Sequence, residues 1–176
     1  MPPNRITPAA DALIDTLDAE VEALNTLEAL YDQQIKAIRA NNLDAIDERT
    51  MEIQVQTATL QDLGERSERQ ARLLGRVLGM DTDEPSLEEL VRTLREADPA
   101  LGETVAQAQT TVAERAQSVN QRRETLRLAL QYAADLNHEL LVTMQEAASD
   151  TDGQTYTAEG QSDPGTPDRS FVDTVG

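Results

Sequence analysis

The chain of 176 residues has no cysteine and no tryptophan, one histidine, one phenylalanine and three tyrosines. Each shortage excludes something. Without cysteine there is no disulfide framework and no thiolate metal site. His138 stands alone, so a multi-histidine metal centre cannot form within one chain. Aromatics make up 2% of the residues, and the bulky ring fillers of a compact enzyme core are therefore missing. No apolar run reaches the roughly 18 residues that a bilayer-spanning helix needs. The opening Met1-Pro2-Pro3-Asn4-Arg5 leads into a stretch with Asp11, Asp15 and Asp18 and lacks the apolar centre of a signal peptide. A soluble, cytoplasmic protein without membrane insertion is expected. Basic residues are scarce too: Lys+Arg 15 against Asp+Glu 33 leaves a formal charge of −18. So acidic a chain repels nucleic acid and anionic lipid alike.

What remains is Leu, Ala, Val and Ile at helical spacing. Leu17, Leu24, Tyr31 and Ile38 recur every seven residues, with Leu13, Val21 and Ile35 beside them. They predict a first helix over about 9–39, with Thr7 as N-cap, Pro8 in its first turn and the early aspartates near the positive end of its dipole. Asn41-Asn42 interrupts the pattern, and asparagine tolerates the left-handed conformation that ends helices. The gap is short, so the next helix doubles back. That second helix runs over about 43–78 on Ile46, Ile53, Leu60 and Leu74. Its middle is weak, because Thr50, Thr57, Gly64 and Ser67 occupy stripe positions; one narrow packing side is expected. Gly79 closes it. After a polar connector, Ser86-Leu87-Glu88-Glu89 reads as a capping box opening a short helix with Leu87, Leu90, Val91 and Leu94 on one face. Asp98-Pro99 opens the last helix. There Val105, Val112, Val119, Leu126, Ala133 and Leu140 repeat every seven residues through about Ala147. At about 1.5 Å per residue this helix is roughly 70 Å long. The expected fold is all-α: an elongated antiparallel bundle of three long helices plus one short one, occupying 1–148.

Composition changes at Ser149. Residues 149–176 hold four of the eight glycines and two of the seven prolines. Too little apolar surface is present to offset ordering entropy, so a disordered, polar, acidic tail is expected.

Little in the chain suggests catalysis. His138 belongs to a single Asp135-x-x-His138 pair, where a di-metal bundle needs a second pair and further carboxylates. No Gly-rich loop follows a strand, and no strand is evident. Neither a cofactor nor a metal is expected. The basic runs Arg66, Arg69, Arg72, Arg76 and Arg122, Arg123, Arg127 lack aromatics and interleave with Glu65, Glu68 and Glu124. They read as local ion pairing on solvated faces rather than nucleic-acid contacts.

The last helix carries more apolar residues than one stripe holds. With Leu126 at 0°, the stripe takes Leu130, Ala133, Leu140 and Met144 within about 40°. Leu128, Tyr132 and Val142 fall at about 200°, 240° and 160°, and Leu136 at about 280° joins the two sets. A helix apolar on more than one face is covered on more than one face or offers a surface. Three covers stay open: a partner protein, a second copy, or the short helix at 87–94. In the tail, Tyr156 sits in Thr155-Tyr156-Thr157-Ala158-Glu159-Gly160, an aromatic in a polar stretch, as in short docking motifs.

These segments resemble the FlgN-like family of flagellar export chaperones. The likeness lies in Ala40-Asn41-Asn42-Leu43-Asp44-Ala45-Ile46, in Ser86-Leu87-Glu88-Glu89-Leu90, and in Asn120, Leu126, Leu130 and Tyr132 followed by Thr155-Tyr156 and Gly160. Arg123 departs from the pattern, where a second Asn is usual, and the acidic extension after Gly160 exceeds the family core. The resemblance implies a non-enzymatic cytoplasmic chaperone. Its clients would be hook-associated proteins of the FlgK and FlgL types, delivered to the flagellar type III export apparatus. It also implies client binding in the C-terminal region, where the residues supply Leu128, Tyr132, Leu136 and Val142, and docking on export gate components through Tyr156. The other reading is a coiled-coil adaptor that forms a homo-oligomer through its last helix.

Overall fold

The computed structural model describes residues 5–80 and 85–151, with side chains described through 148. Among them stand four α-helices and no strand: α1 (Ile6–Arg39), α2 (Leu43–Leu78), α3 (Leu87–Ala97) and α4 (Pro99–Thr151). The tail and Tyr156 lie outside the described residues. By internal contacts the chain divides into two units, Met1–Tyr132 and Ala133–Gly176.

Most helix ends follow the local chemistry. Asn41 takes φ 50°, and the Asn42 side chain accepts from the Ala45 N–H at 3.1 Å, capping α2. Gly79, at φ 76°, closes α2 in the left-handed conformation. At α3 the Glu89 N–H donates to Ser86 Oγ at 3.3 Å, and the Ser86 N–H donates to Glu89 Oε2 at 3.1 Å. Asp98 serves two helices. Its N–H donates to the Leu94 carbonyl at 2.7 Å, ending α3, and its carboxylate accepts from the Leu101 N–H at 3.1 Å, starting α4.

The start of α1 differs from expectation. Arg5, not Thr7, is the N-cap, and it makes no side-chain capping bond. Pro8 is tolerated at the third helical position because the first four N–H groups have no intrahelical partner in any case. The first turn accordingly holds no acid, and Asp11, Asp15 and Asp18 lie beyond it.

Within the first unit the helices enclose two apolar clusters. In one, Leu13 and Leu17 of α1, Leu74 and Leu78 of α2, Leu90 and Leu94 of α3, and Val105 and Ala108 of α4 pack together. The short helix therefore covers this end of the core and leaves Leu128 and Tyr132 open. In the other, Leu24, Leu27, Tyr31 and Ile35 meet Val119 and Leu126, with Ile53 and Leu60 half-buried beside them. Burial pushes the Tyr31 hydroxyl above its usual range, against a smaller opposing pull from Arg123. Of the expected stripe of α2, Leu74 is buried and Ile46, Ile53 and Leu60 are half-buried; its buried residues, Ala71, Leu74, Gly75 and Leu78, all lie near its C-terminal end.

Polar contacts set the directions. Gln34 Nε2 donates to Thr50 Oγ1, and Gln56 Nε2 donates to the Ala23 carbonyl, each at 3.0 Å. Numbers fall along α1 as they rise along α2. Against α4 they rise together: Ser118 Oγ donates to Glu28 at 2.7 Å, and Arg122 pairs with Glu28 at 3.7 Å and Asp32 at 3.5 Å.

Candidate functional site

The stripe of α4 is covered only as far as Leu126. Val105, Ala108, Val119 and Leu126 are buried, and no residue of 127–148 is. The expectation of a core stripe continuing through Leu130, Leu140 and Met144 is corrected: these are 45%, 60% and 68% exposed. Length explains it. α1 has 34 residues and α2 has 36, against 53 for α4. Helices paired over the first part of α4 end before its apolar pattern does.

The four residues singled out on this helix fall in that open stretch. Leu128 and Tyr132, in the first unit, are 54% and 67% exposed; Leu136 and Val142, in the second, are 42% and 39% exposed. Sequence reasoning missed Leu130, Leu140, Leu141 and Met144 as surface residues, having placed all but Leu141 on the core stripe. The signal that could have found them is the mismatch between the length of the last apolar pattern and those of the first two.

Charge in the region is one-sided. Arg127 grips Glu124 through three hydrogen bonds of 2.7–3.0 Å, and this holds the Glu124 carboxyl below its usual range. Between Arg127 and Arg169 the sequence has no Lys or Arg. Of the other basic run, Arg69 pairs with Glu65 and Arg72 with Glu68, each one turn apart at 3.5 Å. Arg122 differs, because its partners lie across the helix interface on α1.

Elsewhere, Leu30, Met51 and Val55, together with Arg49 and Gln56, line an open groove of about 500 Å³ between α1 and α2. His138 is exposed. Among the described residues no group of three or more His, Cys, Asp or Glu side chains is placed to hold a metal ion. None of the described helices is long and apolar enough to cross a membrane.

The described residues define an all-helical protein whose longest helix, α4, leaves its apolar end open. The family described as FlgN protein matches residues 1–164, and the chain belongs to that family, one of flagellar export chaperones. Neither a curated protein nor a solved structure matches it.

Proposed function

We propose that this chain is a cytoplasmic chaperone for hook-associated proteins of the FlgK and FlgL types, that it blocks their premature assembly and that it brings them to the flagellar type III export apparatus. One observation supports this reading most: an FlgN-family chain leaves Leu128, Tyr132, Leu136 and Val142 open on one helix. Subunits that polymerise through terminal helices expose amphipathic segments while they are monomers. An apolar helix offers those segments a substitute for the polymer. Fully burying one such side chain is worth about 1.5–3 kcal/mol, so four of them offset part of the cost of association. Binding only the unassembled form shifts its population by mass action, with no need for nucleotide chemistry. Tyr156, outside the described residues, is the proposed contact to export gate components.

Co-expression with a hook-associated protein tests the proposal. The expected product is a soluble 1:1 complex on gel filtration, weakened by Leu128→Asp or Tyr132→Asp. Failure to form a complex at micromolar concentration overturns it. A stable homo-oligomer indifferent to such clients would favour the coiled-coil adaptor instead.

A further inference from the structure

The two apolar clusters of the first unit are built unequally. In the one that α3 closes, Leu13, Leu74, Leu90, Leu94 and Val105 are 0% exposed, whereas no buried residue of the other falls below 4%. All four helices contribute buried residues to the first. In the second, α1 and α4 supply every buried side chain, and α2 adds only the half-buried Ile53 and Leu60. The joint between the clusters is poor. Glu20, between Leu17 and Leu24 on α1, and Gln70, between Leu60 and Leu74 on α2, each keep a buried oxygen without a partner, which costs free energy. Among the described residues Val112 alone packs against both clusters. Around the second cluster α1 and α2 hold each other without α4. Gln34 donates to Thr50, Gln56 to the Ala23 carbonyl, and Arg49 Nη1 to Gln33 at 3.1 Å. From residues 99–132 of α4, the polar contacts to this hairpin are those of Ser118 and the exposed Arg122 with Glu28 and Asp32. Exposed ion pairs of this kind hold weakly.

Local opening follows such differences in burial and contact, so the second cluster opens before the first. Its opening uncovers Val119 and Leu126, which continue along α4 into the exposed Leu130. We propose that the α1–α2 hairpin is a latch. Its tip lifts from α4 while the cluster closed by α3 holds, and an amphipathic helix of the client takes its place on Val119, Leu126 and Leu130. The hairpin shows what that place accepts: Leu24, Leu27, Tyr31 and Ile35, one apolar stripe at helical spacing. The inference deepens the chaperone reading and rests on it, since it gives the client a further stretch of α4 and gives the chain a closed state without client.

The absence of cysteine lets a single introduced thiol report alone. In the full chain Val119→Cys reads the second cluster and Val105→Cys the first, each by alkylation rate. Without client, Val119→Cys is expected to react about tenfold faster or more, since it needs only the local opening. Glu28→Ala removes the acceptor of Ser118 and Arg122 from the hairpin and leaves α4 unchanged. It should speed Val119→Cys by about tenfold, the scale of a hydrogen bond to a charged group, and leave Val105→Cys as it was. Apparent affinity scales with the open fraction. The same substitution should therefore tighten binding of a synthetic leucine-striped helix, and of a hook-associated protein, by about as much. Asp32→Ala, which removes one pairing of Arg122, should act in the same sense by about two- to threefold. Glu22→Ala, at an exposed acid of the same helix outside these pairs, should change nothing. Equal rates at the two thiols would show that the hairpin leaves α4 only in global unfolding, and would overturn the proposal. So would a faster Val119→Cys with binding of the synthetic helix unchanged or weaker. A synthetic helix that tightens as expected, while hook-associated proteins form no complex, would remove the chaperone reading and leave the latch standing. A complex with hook-associated proteins that is indifferent to Glu28→Ala would do the reverse.

Discussion

Ser118 of α4 donates a hydrogen bond to the Glu28 carboxylate of α1 across 2.7 Å, at a half-buried point beside the second apolar cluster. The same carboxylate is approached by Arg122 one turn on. Apolar side chains slide past one another cheaply, but a directional bond between a hydroxyl and a charged group fixes where two helices stop. Ser118→Ala leaves Glu28 with the partly exposed Arg122 alone. The expected loss is about 1–2 kcal/mol, since hydrogen bonds to charged groups contribute about 1.5–3 kcal/mol at most. Urea unfolding measures it, and an unchanged midpoint would show that the bond fixes nothing.

Glycines 64 and 102 predict opposite outcomes for one substitution. A Cβ built on Gly64 meets nothing within 4 Å, whereas on Gly102 it lies 2.8 Å from the Arg95 backbone nitrogen and 2.9 Å from its Cα. Gly64→Ala should stabilise by about 0.5–1 kcal/mol through helix propensity. Gly102→Ala gains the same propensity but forces α3 away from α4, and overpacking of this kind costs about 1–3 kcal/mol. Thermal unfolding of the two variants should move in opposite directions.

Burial raises the Glu20 carboxyl above its ordinary value of 4.5, outweighing a smaller opposing effect of the nearby Ser67 hydroxyl. One of its oxygens, Oε1, is buried without a partner. A group with a raised folded pKa contributes stability below its unfolded value, and that contribution is lost as pH rises through the folded one. At neutral pH the ionised carboxylate therefore opposes folding. Glu20→Gln should unfold at higher urea than the parent at pH 7. The gap should narrow as pH falls toward 4.5 and vanish below it. A gap independent of pH would place the effect in packing instead.

Two leucines of the same chemistry separate core from surface. Leu94 is 0% exposed and Leu140 is 60% exposed. Leu94→Ala should cost about 2–5 kcal/mol through lost burial and a cavity. Leu140→Ala should change stability by less than about 0.5 kcal/mol, while weakening binding if α4 is the client site. A large loss of stability at Leu140 would mean that this stripe is covered in the free protein.

Much of the helical order was legible residue by residue. Asn41-Asn42, Gly79, Ser86 with Glu89, and Asp98-Pro99 all act where the chain turns, because caps depend on a few neighbouring backbone groups. Thr7 misled because a proline in the first turn fits more than one position. The heptad of α4 was legible as apolar, but not as open. Periodicity shows which side of a helix is greasy and says nothing about whether another helix is there to meet it. Val119 and Leu140 look alike in the pattern, yet one is buried and the other exposed.

By itself, then, the sequence determined the helices and nearly all of their ends, since each depends on near neighbours along the chain. Tertiary structure decided that α3 closes the core over Leu13 and Leu74, that Arg122 turns to α1, and that burial of the stripe stops at Leu126. Those outcomes depend on which helices are long enough to meet, and it is at Leu126 that the stripe passes from core to open surface.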